Sequence, residues 1–128
     1  MWKWLIGLFL VAHGLVHLAV WTMPQKADAP FDARHSWALQ GGGVSADGAR
    51  AAAIALAIVA ATIFVVAGAS LLMGFAAWRP ITVVGSVAGL VVAVLFFNPW
   101  LSLDVAINAG LLLGLTVWAW PSTDLVGA

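Results

Sequence analysis

The chain has 128 residues, of which 64% are hydrophobic and only 8% charged, and its formal net charge is zero. A soluble domain carries roughly a quarter charged residues, and a chain this short buries only about two-thirds of its surface, so lipid is the solvent that suits this composition. The balanced charge excludes the basic surface that nucleic-acid binding needs. The absence of cysteine excludes disulfides, thiolate metal sites and cysteine nucleophiles.

Four apolar stretches are each long enough to cross a bilayer, which takes about 20 helical residues. We therefore predict an all-α fold, one integral membrane domain over residues 1–128 with four transmembrane helices. They cover about 2–21, 51–77, 81–97 and 100–120. Proline disfavours helix at its own position and at the residue before it, which predicts breaks at Arg79-Pro80 and Asn98-Pro99 and an end at Pro121.

Tryptophan favours the membrane–water interface, because its ring is apolar and its N–H is polar. Seven of the eight tryptophans fall at predicted helix ends: Trp2, Trp4, Trp21, Trp78, Trp100, Trp118 and Trp120. This placement supports the four predicted helices.

Only the first loop, 22–49, is long, and it holds half of the charged residues. Within it, the four-residue spacing of Phe31, His35 and Leu39 predicts a short helix over residues 30–39 that lies on the membrane surface. The glycines at 41–43 would end this helix.

Small residues recur at four-residue spacing, a pattern that lets helix backbones approach closely in lipid. Gly85 with Gly89 and Gly110 with Gly114 are such pairs. They predict either packing inside the bundle or a homodimer interface. The positive charges are nearly balanced between the two sides, and the Lys3-then-apolar start favours both termini in the cytoplasm.

Four polar residues lie inside the predicted hydrocarbon region, where each costs at least a few kcal/mol and so needs a reason. They are His13 and His17 on the first helix and Asp104 and Asn108 on the fourth. Each pair is four residues apart and shares a helix face. His17 and Asp104 each lie four residues inside an interfacial tryptophan of the same membrane side, about 6 Å deep, so they should be level with each other. His13 and Asn108 should be level about 12 Å deep.

This polar cluster has three interpretations. The first is a structural clasp of two hydrogen bonds between the helices. The second is a metal site in which His13, His17 and Asp104 bind a divalent transition metal. The third is a site for protons or a quinone head group. Arg34 and His35 emerge on the same side and are candidates for a gate.

The segments 3–7 and 12–18, together with Pro99-Trp100 and residues 104–107, resemble a group of small four-helix bacterial membrane proteins with no assigned function. In size and helix layout alone, the chain is similar to DoxX-like proteins, which implies a link to membrane redox and thiol-stress systems.

We therefore expect a membrane subunit or scaffold with an internal His/Asp/Asn cluster. The alternative is a membrane-embedded metal-binding or redox protein that uses the same cluster.

Overall fold

The computed structural model describes residues 1–24 and 26–127; Gln25, within the predicted first loop, and Ala128 lie outside them. The described residues form helices and no strands: α1 (Trp2–Trp21), α2 (Trp37–Gly41), α3 (Ala46–Met73), α4 (Trp78–Leu95), α5 (Ser102–Thr116) and α6 (Thr123–Val126), with a 3-10 turn at Pro99–Leu101 leading into α5. Four segments are long and apolar enough to cross a membrane: Trp2–Trp21, Ala46–Met73, Trp78–Leu95 and Pro99–Thr116. The prediction of an all-α chain with four such helices is confirmed.

The break between the second and third long helices lies earlier than predicted. α3 ends at Met73, because Gly74 adopts a left-handed conformation (φ 84°) and the N–H groups of Gly74 and Phe75 bond back to Leu71 O and Ser70 O. The predicted break at Arg79-Pro80 is wrong. Pro80 is the third residue of α4, where the first turn leaves backbone N–H groups unused and so tolerates proline.

The last long helix ends at Thr116 rather than at Trp120. The chain folds back over its end, so that the N–H of Trp118 bonds to Leu113 O and the N–H of Trp120 bonds to Gly114 O. Arg79 holds this segment by donating to the carbonyl oxygens of Ala119 and Pro121. The following helix, α6, buries Val126 between α1 and α4, and no sequence pattern predicted it.

The predicted surface helix over 30–39 is also wrong in its bounds, since α2 covers only Trp37–Gly41. Ser36 caps it by accepting from the N–H of Leu39, and the Ser36 hydroxyl donates to Leu95 O at 2.7 Å. Trp37 donates to Val94 O at 2.7 Å. The last carbonyls of α4 lack partners within their own helix, so the loop supplies donors to them.

α1 packs along α3, α3 against α4, and α4 against α5. Glycines make the first contact very close: a Cβ at Gly68 would lie 2.6 Å from the backbone oxygen of Gly7. Gly85 and Gly89 are buried within the bundle, against Phe64 and Asn108, which is the internal packing that their spacing allows. Gly110 is exposed and its partner Gly114 is buried.

α1 and α5 face each other across two cavities instead of packing closely. Only Asn108 and Gly114 of α5 are buried. Two of the predicted interfacial tryptophans, Trp21 and Trp78, are each 1% exposed and pack inside the protein.

Candidate functional site

The four polar residues singled out in the sequence lie together between α1 and α5. The His17 Nε2 atom is 3.6 Å from Asp104 Oδ1, and the His13 Nε2 atom is 3.4 Å from Asn108 Oδ1. His13, His17 and Asn108 are buried, and the side chain of Asp104 is 20% exposed. The pairing is the one that depth along the two helices predicts.

The imidazole rings are held from the α3 side by Phe64, which is fully buried. Its ring centroid is 4.7 Å from that of His13 and 5.7 Å from that of His17. Gly14 allows this approach, because a Cβ there would meet Ala61 O at 2.8 Å and Phe64 Cβ at 3.0 Å. The histidines therefore project towards α5 from a closely packed wall.

On the other side, Asn108 orients the carboxylate. Its amide nitrogen donates to Asp104 O at 2.9 Å and to Asp104 Oδ1 at 3.0 Å. These bonds leave Asn108 Oδ1 as the acceptor facing His13, so His13 Nε2 is the donor. Gly89 makes the space, since a Cβ there would lie 2.5 Å from Asn108 Oδ1.

His17 has an unpaired nitrogen directed at the carboxylate. Its Nδ1 atom lies 3.2 Å from the backbone oxygen of His13, and a carbonyl oxygen only accepts, so Nδ1 carries the proton. Nε2 of a neutral His17 then presents a lone pair towards Asp104. Among the described residues, neither the buried His17 Nε2 nor the buried Asp104 Oδ2 has a hydrogen-bond partner.

One ligand atom from each of His13, His17 and Asp104 can be chosen so that all three lie within 4.8 Å of one another. An ion at their centre would be within about 2.8 Å of each, compared with the usual Zn–N distance of about 2.0–2.1 Å. Side-chain rotations that move each ligand atom by about 1 Å would close this gap. Two imidazoles and one carboxylate leave a further coordination position open.

A cavity of about 300 Å³ adjoins the cluster. The three candidate ligands form one part of its wall, and the rest is apolar: Val16, Val20, Trp21, Trp100, Leu101, Leu103 and Ile107. An ion held by these three residues would therefore border the cavity.

Phe31 does not line this cavity, but it packs against two residues of the cavity wall at its loop end. It is 5% exposed, and its ring lies 5.2 Å from that of Trp21 and 5.4 Å from that of Trp100. It comes from the first loop, so the loop does reach the site, through an aromatic side chain rather than through a charge.

Arg34 and His35, the predicted gate, do not line the cavity. Arg34 pairs with Asp32, with Nη2 2.8 Å from Oδ2 and Nε 3.0 Å from Oδ1. This hydrogen bonding lowers the pKa of Asp32 from 3.8 to about 2 and raises the pKa of Arg34. The His35 side chain is 75% exposed and lies 3.3 Å from Asp32. The three residues shape the turn after Phe31.

Phe31, Phe64 and Gly89 are the parts of the site that sequence reasoning missed. Gly89 carried a signal, since the glycine spacing marks a close helix approach, but nothing in the sequence says which side chain fills the space. The comparisons with family models, with curated proteins and with solved structures found no match to this chain. The function is therefore argued from this geometry.

Proposed function

We propose that the protein is a multi-pass membrane protein that binds a divalent transition-metal ion through His13, His17 and Asp104. The observation that carries this proposal is the buried lone pair of His17 Nε2 directed at the Asp104 carboxylate, 3.6 Å away. Two electron-rich atoms in an apolar interior repel each other unless a cation lies between them.

The ligand set favours certain ions. Imidazole and carboxylate suit Zn²⁺, Fe²⁺, Mn²⁺ and Cu²⁺, and the absence of thiolates disfavours Cu⁺ and iron–sulfur clusters. Asn108 supports the site by bonding to both His13 and Asp104, which is how outer groups orient metal ligands. The open position would face the cavity.

Membrane insertion is supported by the four long apolar helices and by the large apolar side chains exposed along them, such as Leu8, Val84 and Leu103. Contiguous apolar surface of this extent has no stable arrangement in water. We place both termini in the cytoplasm and the first loop on the opposite side of a bacterial inner membrane. Because the chain lacks cysteine, single-cysteine variants at Lys3 and Asp28 can be labelled from either side to test this orientation.

The metal is tested by elemental mass spectrometry of detergent-purified protein. We expect near-stoichiometric metal in the wild type and loss of it in His13→Ala/His17→Ala. His35→Ala is the matched control, because it removes the third histidine, which lies outside the cluster, and it should keep the metal. Circular dichroism establishes that each variant remains folded.

The same experiment separates the metal from the second candidate, a membrane subunit or scaffold in which the cluster is a metal-free clasp. The close pairing of His13 with Asn108 favours that role, because the two side chains already connect α1 to α5. In a clasp, a proton would occupy the space between His17 and Asp104. Wild-type protein that takes up no ion, even after incubation with each candidate, would overturn the metal and leave the clasp.

A further inference from the structure

At the loop end of the site, buried side chains pack against the cavity wall. Phe31 packs between Trp21 and Trp100, and Leu101 beside them is 2% exposed. The loop that carries Phe31 is itself fastened to the end of α4 through Ser36. A water-soluble ligand approaching from the loop side would have to displace this aromatic cover.

The side of the site, between α1 and α5, is open. Val16 and Leu103 form its rim and are 54% and 71% exposed, whereas His17, behind them, is 2% exposed. In a bilayer this rim would face hydrocarbon. A compound dissolved in the hydrocarbon would reach the polar atoms without crossing the loop.

A second cavity of about 250 Å³ lies further along α1 and α5, towards the opposite end of the bundle. Ile107 lines both cavities, and the second one is otherwise formed largely by apolar side chains of α1 and α5, such as Phe9 and Leu111. Gly110 lines this cavity, and a Cβ there would have no atom within 4 Å, so the absence of a side chain leaves open space. The two neighbouring cavities therefore offer polar atoms for a head group in the first and apolar walls for a tail in the second.

The polar atoms restrict the head group. His17 Nε2 and Asp104 Oδ2, the unpartnered buried atoms in the first cavity, are both acceptors, so a ligand must bring a hydrogen-bond donor or an oxygen for the metal. A hydroxyl group does both. A charged head is disfavoured, because it would have to be desolvated at the rim.

We infer that the site takes a neutral long-chain alcohol or phenol sideways from the bilayer, with its hydroxyl at His17 and Asp104 and its chain along α5. The inference rests on the proposed function only where the hydroxyl oxygen is taken to bind the metal. The apolar lining and the open side are independent of the metal.

The probe is dodecan-1-ol that carries a diazirine in its chain, with the protein in dioleoylphosphatidylcholine nanodiscs. Photolabelling, mapped by mass spectrometry, should be saturable on α1 and α5. Excess dodecan-1-ol should compete and dodecane should not. Gly110→Leu should weaken saturable labelling about tenfold by filling the second cavity, and Ala106→Leu, on the same wall, is a second variant for the same purpose. Val84→Leu, on the exposed face of α4, should leave it unchanged.

The control probe is dodecane that carries the same diazirine but no hydroxyl group. If it labels α1 and α5 as strongly as the alcohol probe does, the inference is overturned, because the cavities would then hold only bilayer chains. Metal content, measured on the same samples, separates the two proposals. If the protein contains bound metal but shows no saturable labelling, the proposal of the alcohol or phenol ligand is contradicted and the metal site is not. Saturable labelling of protein that takes up no ion, even after incubation with each candidate, contradicts the metal alone and leaves the hydroxyl bonded directly to the two acceptors.

Discussion

The first long helix meets its two neighbours in opposite ways. Towards α3 the backbones almost touch, through Gly7, Gly14 and Gly68. Towards α5 two cavities of about 250 and 300 Å³ intervene, and direct contact is concentrated at the polar cluster. We refer to these two contact regions as the α1–α3 seam and the α1–α5 seam.

The difference separates a seam that stabilises the fold from one that is the candidate for a ligand site. Apolar burial drives little helix association in lipid, so close van der Waals packing between small residues does that work. The α1–α3 seam has such packing, and where His13 and His17 border it they meet the apolar ring of Phe64. The α1–α5 seam is loosely packed and contains the buried cluster of His13, His17 and Asn108, a combination that is typical of ligand sites.

The largest predicted effect sharpens this comparison. Gly68→Leu should lower the free energy of unfolding by about 3 kcal/mol or more, because its side chain has to displace the backbone of α1. Gly110→Leu adds the same atoms to the open seam and should change it by about 0.5 kcal/mol or less. Unfolding by sodium dodecyl sulfate in mixed micelles measures both. Equal losses would mean that the α1–α5 seam is as closely packed as the α1–α3 seam.

The sequence predicted the cluster because depth in a membrane is readable along a helix. Trp21 and Trp100 stand at the same distance from their respective polar residues, and helical rise converts that count into a level. Trp21 proved to be buried rather than lipid-facing, but its place at the helix end is what the argument used.

The errors have a common physical origin. Proline marks a possible break, yet Pro80 fits within a first helical turn, while the actual break depends on the left-handed Gly74. Phe31 was assigned to a surface helix because its spacing fits one, but its position is decided by contacts with Trp21 and Trp100, which are distant in sequence. Local patterns do not contain such tertiary contacts.

The second prediction removes the aromatic ring of Phe31, which packs at the loop end of the α1–α5 seam. Phe31→Ala should lower the free energy of unfolding by about 3 kcal/mol, the lower end of the range for a buried aromatic side chain. It should also expose Asp104 to water, so that a water-soluble carbodiimide modifies it faster. Phe75→Ala, at a position 55% exposed, should do neither. Unchanged modification of Asp104 would show that water reaches the site by another route.

The third prediction concerns the space that Gly89 provides for Asn108. Gly89→Ala should cost about 1–2 kcal/mol of stability by displacing the amide, and should weaken metal binding about tenfold through the loss of ligand orientation. In an Asn108→Ala background the added cost of Gly89→Ala should largely disappear, because the clash is gone. A double-mutant cycle of unfolding and of metal competition titrations measures both. Additive costs would show that Gly89 acts on something other than Asn108.

The smallest predicted effect lies outside the membrane helices, at the turn after Phe31. The pKa of Asp32 is lowered from 3.8 to about 2 by hydrogen bonding to Arg34, so the folded turn favours the ionised carboxylate. Its stabilisation is therefore complete above about pH 4 and is lost as the pH falls towards 2. Amide hydrogen exchange of residues 31–36 should accelerate relative to the unstructured-chain rate over this range in the wild type. Asp32→Asn should abolish that pH dependence. The change should be modest, because Arg34 is 45% exposed and water screens the pair. If the variant keeps the wild-type pH dependence, then another group holds Phe31 over the site, and the cover does not depend on this ion pair.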